Sequence, residues 1–241
     1  MTSSKISSVV VAMMLLVIAV PVVAGTINLN DTYNGGNPFM SDNYMWIDVV
    51  ETNGPPNDPA FNYYRDPSTV GNSFIVNPTN FRVDVTPGPG LQQIDSQLEM
   101  VIMGTSGATI PFLNFVSSGD FEVNGQNLND SFVSSTVSYD YEILEGANVG
   151  MTGSGMEVFS AAAAPNSSGT GMLNLDIDFP NGATKIRVEF DNSVTAEATT
   201  DLSSAFIAKK VNQGIIITVP EPSAILLLLG CIGVVVLRRR Y

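Results

Sequence analysis

Histidine is absent from this 241-residue chain, and cysteine occurs once. Without histidine no side chain has an ordinary pKa near neutrality. Ser-His-Asp and Cys-His catalysis and nearly all zinc sites are thereby excluded. The one cysteine, Cys231, lies inside a C-terminal apolar run, so no intrachain disulfide can form and the body is expected to hold by packing alone. Basic side chains are also scarce, with ten Lys and Arg against 23 Asp and Glu. Setting aside Lys5, Glu221, Arg238, Arg239 and Arg240 leaves six basic residues against 22 acidic ones. Such a surface repels phosphates and anionic headgroups, which excludes nucleic acid and lipid surfaces as direct partners of the body. There is no Gly-rich phosphate loop, nucleotide fingerprint or metal-ligand cluster, and neither a cofactor nor a metal is expected.

Apolar residue is what the chain has in quantity, 44% of it, and the two longest runs lie at the ends. Residues 1–24 read as a secretory signal. Lys5 supplies the positive start, Val9 to Val20 is a 12-residue apolar run, Pro21 breaks it, and Val22-Val23-Ala24 forms the cleavage site before Gly25. At the other end, Pro220-Glu221-Pro222 precedes 14 uncharged residues, Ala224 to Leu237, followed by Arg238, Arg239 and Arg240. As a helix that run reaches about 21 Å, short of a ~30 Å hydrocarbon core. Snorkelling arginines and local thinning close part of the gap. The arginines mark the cytoplasmic side and leave the body facing outward.

In order and position these three parts resemble the PEP-CTERM sorting tail of Gram-negative bacteria, over about residues 219–241. The resemblance implies recognition of Pro220, Glu221 and Pro222 by an exosortase-type membrane processing enzyme, with Arg238–Arg240 as the cytoplasmic stop. It further implies transient anchoring in the inner membrane by this tail only, then delivery to the cell surface or an exopolysaccharide matrix. It covers about a tenth of the chain and says nothing of the body.

Between the ends, short alternating segments are separated by Gly, Pro, Asn, Asp and Ser, without a helical period. This predicts an all-β body over residues 25–219, a single antiparallel β-sandwich of jelly-roll type, with residues 220–241 as the tail. Predicted strands are Tyr44–Glu51, Ser73–Val76, Phe81–Thr86, Leu98–Met103, Phe112–Val116, Phe121–Asn124, Thr136–Ile143, Glu157–Ser160, Leu173–Phe179, Thr184–Asp191 and Ile215–Val219. Residues 146–155 and 161–171, rich in Gly, Ala and Ser, read as loops. Asn181-Gly182 predicts a tight hairpin that sets Asp178 opposite Lys185 and Asp176 opposite Arg187, with Ile177 facing Ile186.

Chemistry is sparse. Asp176 and Asp178 share a strand face, but the expected cationic partners favour a structural role over calcium, and the spacing of a calcium loop is missing. A glycosidase needs only two carboxylates, yet nothing selects a pair. Trp46 reads as core. The turn-rich segment 52–68 holds Tyr63 and Tyr64 beside Arg65, and these three form the candidate ligand surface, with extracellular polysaccharide as the partner. A structural or adhesive protein is the leading expectation, a carbohydrate-binding module the alternative, and a polysaccharide hydrolase the third.

Overall fold

The computed structural model describes residues 25–53, 63–127, 129–163, 166–210 and 214–220. The expected signal, the tail from Glu221 onward and the segment 54–62 lie outside the described residues. In chain order the elements are β1 (Gly25–Asn28), helix α1 (Leu29–Asn34), β2 (Phe39–Met40), β3 (Tyr44–Asn53), β4 (Tyr64–Val70), β5 (Ser73–Pro78) and β6 (Arg82–Val85). They continue with β7 (Gly90–Gly104), β8 (Ile110–Asn124), β9 (Ser131–Gly146), β10 (Thr152–Ala162), β11 (Asn166–Ala198), β12 (Ser204–Lys209) and β13 (Ile215–Thr218). The body is nearly all β, as expected, apart from the short α1 and a 3-10 turn at Thr105–Gly107 between β7 and β8. Helix α1 is capped by Asn28, whose side chain accepts from the Asp31 amide, and ended by Gly35 in the left-handed region.

All described pairings are antiparallel, and the strands form one continuous sheet that curls over itself. One half runs β1–β3–β7, then the second half of β11, then β9 and β10. In the other half, the first part of β11 pairs with β8. The far edge of β8 is shared by β12, which continues to β6, and by β13, which continues to β5 and β4. The two halves face each other across apolar side chains. Phe115 of β8 meets Phe190 of β11 at a ring-centroid distance of 4.7 Å, and Trp46 of β3 stacks on Phe74 of β5 at 5.3 Å. All four rings are fully buried, and the expectation that Trp46 is core is met. Burying one such side chain is worth about 1.5–3 kcal/mol, so this inner layer supplies the main driving force.

The 33-residue β11 makes the curl possible and overturns the predicted hairpin. Asn181 and Gly182 do take the positive φ that a tight turn needs, 67° and 73°. They form a corner instead, and the chain passes from one half of the sheet to the other. Lys185 to Ala198 is already hydrogen-bonded to β7 on one edge and β9 on the other, so no edge is left for Leu173–Phe179. Lys185 therefore bridges to Glu145 at 3.2 Å, and Arg187 to Glu142 at 3.0 Å and Glu99 at 3.5 Å. Asp176 accepts from Asn114 at 2.8 Å. The alternation that suggested a local hairpin is satisfied equally by distant strands of the same period.

The two glycine-rich stretches are also corrected, because much of each is strand, in β10 and in β11. Gly153, Gly155 and Gly171 are small because rings lie on them. A Cβ on these residues would stand 2.5 Å, 2.6 Å and 2.5 Å from the rings of Tyr141, Tyr139 and Phe159. Glycine inside a strand often marks such a close approach. Predicted strands Phe112–Val116 and Phe121–Asn124 are one strand, β8, and β1, β2, β4 and β12 were not predicted.

Candidate functional site

Two groups of polar side chains stand out, one inside the sandwich and one on its outer face. The inner group begins with a β-bulge in β3. Its register against β7 shifts between Ile47 and Val50, and Asp48 sits at φ 50°. Asn30 of α1 holds the bulge by accepting from the Val49 amide (2.7 Å) and donating to the Trp46 carbonyl (3.2 Å). The extra residue reverses the parity of the strand. Tyr44 and Trp46 point inward before it, and Val49, Glu51 and Asn53 point inward after it.

Glu51 is consequently a fully buried carboxylate. It accepts from the amides of Tyr63 (2.8 Å) and Tyr64 (3.1 Å), and Ser96 Oγ lies 3.3 Å away. Burial raises its pKa above the usual range, against the opposing pull of these donors. The row continues across the sheet, where register aligns Asn53 with Ser96 and Ser96 with Asn192. From the facing half come Tyr64, whose hydroxyl donates to the Ser96 carbonyl at 3.4 Å, and Lys209 at the end of β12. Lys209 Nζ donates to Asn192 Oδ1 and Ser117 Oγ, both at 3.1 Å, and lies 5.6 Å from the centre of the Phe81 ring. Loss of water alone pushes its pKa down to about 7. Asn192 Nδ2 is buried without a hydrogen-bond partner. An unsatisfied buried donor costs about 1–3 kcal/mol.

The outer group lies on the solvent face of β7, β11, β9 and β10. Register places Glu99, Glu189 and Asp140 in one row, three like charges on adjacent strands. Arg187 supplies the local countercharge through Glu99 and Glu142, and Gln97 donates to Glu189. Beside it, desolvation first and the neighbouring Asp191 second raise the pKa of Asp95 to about 7. Next to the acidic row an open groove of about 290 Å³ is lined by Asp140, Glu142, Thr152, Ser154, Arg187 and Glu189. Among the described residues, no group of three or more Asp, Glu, Cys or His has the geometry of a metal site.

The predicted ligand surface is not formed. Tyr63 and Tyr64 are both buried, packed on Phe81 at centroid distances of 5.5 Å and 6.1 Å, and only Arg65 is exposed. Their amides turn inward to the Glu51 carboxylate, which carries both rings into the core. Pro220 is described, at the exit of β13, whereas Glu221, Pro222, Arg238, Arg239 and Arg240 lie outside the described residues. Among the described residues no helix is long and apolar enough to cross a membrane. Sequence reasoning missed both polar groups. Glu51 and Asn53 are read inward only once the Asp48 bulge is known, and the acidic row depends on the register of three distant strands.

No protein-family model matches the chain, and no curated protein does. Among solved structures, the enzymatically active domain of bacteriophage CBA120 tailspike protein 4 aligns at 16% identity and a TM-score of 0.16. The alignment covers 72% of this chain and 19% of that one. A family 11 carbohydrate-binding module from Clostridium thermocellum, in complex with a mixed-linked β-1,3-1,4 tetrasaccharide, aligns at 10% identity and a TM-score of 0.18. It covers 66% of this chain and 96% of that one. A chain of infectious bursal disease virus, Gt strain, aligns at 14% identity and a TM-score of 0.16, covering 73% of this chain and 52% of that one. At these TM-scores the likeness carries no argument about the site.

Proposed function

We propose that this chain is an exported structural or adhesive protein of the cell surface or extracellular matrix, sorted through its C-terminal tail by an exosortase-type enzyme. Its cargo is the jelly-roll-like body. The observation that carries this reading is the way the body ends. β13 is wedged between β5 and β8, with Ile215, Ile217 and Val219 fully buried, and the Val219 amide donates to the Asn72 carbonyl at 3.0 Å. Pro220, the first residue of the Pro-Glu-Pro sequence, thus leaves directly from a core strand. A motif fixed to a rigid body without a linker suits presentation close to a membrane enzyme, and a body with a strong acidic excess suits a soluble cargo. Replacing Pro220, Glu221 and Pro222 with alanine tests the sorting. Full-length protein should accumulate in the inner membrane fraction. Release and trimming like the wild type would show the tail to be an anchor only.

A second reading, carbohydrate binding, is supported by the outer groove. It combines carboxylates, hydroxyls and one guanidinium, groups that hydrogen-bond sugar hydroxyls. Glycan-array binding that disappears in Arg187→Ala and persists in Tyr63→Phe would favour it, and a blank array would remove it.

A further inference from the structure

We propose that Lys209 and Asn192 condense into an intramolecular isopeptide bond that staples the two halves of the sandwich. The geometry is that of two reactants already in place. Lys209 Nζ lies 3.1 Å from Asn192 Oδ1. With a C=O bond of about 1.23 Å, the carboxamide carbon is at most about 4.3 Å from the amine. Both residues are buried, Asn192 at 0% and Lys209 at 4% exposure, and neither can drift away. Holding a nucleophile and its target in one dry site replaces an encounter by a small local approach.

Two anomalies of the unreacted site have the same remedy. Lys209 is a buried amine whose hydrogen-bond partners are a hydroxyl and a carboxamide, with no carboxylate paired to it. Such an amine sheds its proton readily, and the neutral form is the nucleophile. Asn192 Nδ2 is a buried donor that makes no hydrogen bond of normal geometry, with the Tyr64 oxygen beside it. Condensation removes the latent cation and the orphaned donor together.

The step balances without an oxidant or a co-reactant. Nζ bonds to Cγ of Asn192, the Cγ–Nδ2 bond breaks, one Nζ proton ends on the departing nitrogen, and ammonia leaves. Ser117 Oγ, at 3.1 Å, accepts from Nζ and steadies it during the approach. The Tyr64 hydroxyl donates to the Ser96 carbonyl at 3.4 Å and borders Asn192, closing the dry pocket around the reacting pair; burial and the Glu51 charge raise its pKa well above the ordinary value and keep it neutral there. Water is excluded, so the amide product is protected from hydrolysis. The product links β11 to β12, closing a ring across 17 positions of sequence. For an extracellular body whose sequence lacks any cysteine outside Cys231, this is an available covalent brace.

The mass of the purified chain decides the matter. It should fall below the sequence mass by one ammonia, about 17 Da, a covalent change that survives denaturation. Cleavage at Glu197, between the two residues, should leave the fragments joined, and fragmentation should place the branch at Lys209 and Asn192. Asn-Gly pairs such as Asn181-Gly182 lose ammonia by forming succinimides, so the sample is first treated with mild base, which opens succinimides and spares the isopeptide. Lys209→Arg and Asn192→Ala should each restore the full mass and separate the fragments. Wild-type protein at full mass, with the two fragments separating after cleavage at Glu197, overturns the proposal without relying on any variant.

Discussion

The ring of Tyr141 lies flat over Gly153 of the neighbouring strand, where a Cβ would stand 2.5 Å from its edge. On its other side the ring meets Phe179 edge-on at a centroid distance of 4.9 Å. The ring is therefore held between a backbone and a core side chain. Gly153→Ala must push it into Phe179 or out to solvent. The expected cost is about 1–3 kcal/mol, the usual range for overpacking, read as a lower denaturation midpoint. Combined with Tyr141→Ala the two costs should not add, because the same ring is lost once.

The interface of the two halves rests on Phe115 against Phe190. Phe190→Ala should destabilise by about 3–5 kcal/mol, the range for emptying a large core site. Denaturant titration checks this. A loss below about 1 kcal/mol would mean that the halves do not depend on this contact.

Stability should depend on Lys209 only where its amine is free, as in Asn192→Ala. Its folded pKa of about 7 lies below the ordinary 10.5 of the unfolded chain. Between these values the unfolded state binds one more proton, so stability rises with pH across that window and levels off outside it. Glu51 and Tyr64 are the titratable groups of the same cluster. Both are raised, by burial first, and a raised pKa makes stability fall as pH rises, so they oppose the trend and must be kept constant in the comparison. Adding Lys209→Met to Asn192→Ala should flatten the rise between neutral and alkaline pH. Thermal melts at a series of pH values measure it.

Asp95 should act in the opposite sense. Its pKa is raised from 3.8 to about 7, so the folded state binds more protons within that window. Its stabilising contribution is complete below about pH 4 and is lost as pH rises through about 7. Asp95→Asn should therefore be more stable than wild type at pH 8, and the gap should close toward pH 4. An equal gap at both pH values would show that Asp95 does not titrate as described.

Chelation should leave the melting temperature nearly unchanged, since no described cluster has metal-site geometry. A fall of about 10 °C or more in chelator would reveal a structural metal.

Several features were fixed by composition and period alone. The missing histidines and the single cysteine restrict chemistry whatever the fold. Alternation with period two announces strands wherever one face is buried, and it located β3, β5, β6 and β13 to within two residues at each end. Partner choice was decided only by the tertiary structure. Every strand of this kind carries the same alternating pattern, so the pairing of Leu173–Phe179 with Thr184–Asp191 looked consistent locally. It yielded to β7, β8 and β9 because these offer longer ladders on both edges. Parity was also decided in three dimensions. One bulge at Asp48, clasped by Asn30, turns Glu51 and Asn53 inward and carries the Tyr63 and Tyr64 amides toward them. A pattern of period two cannot reveal where an extra residue breaks it, and the buried polar cluster exists because of that break.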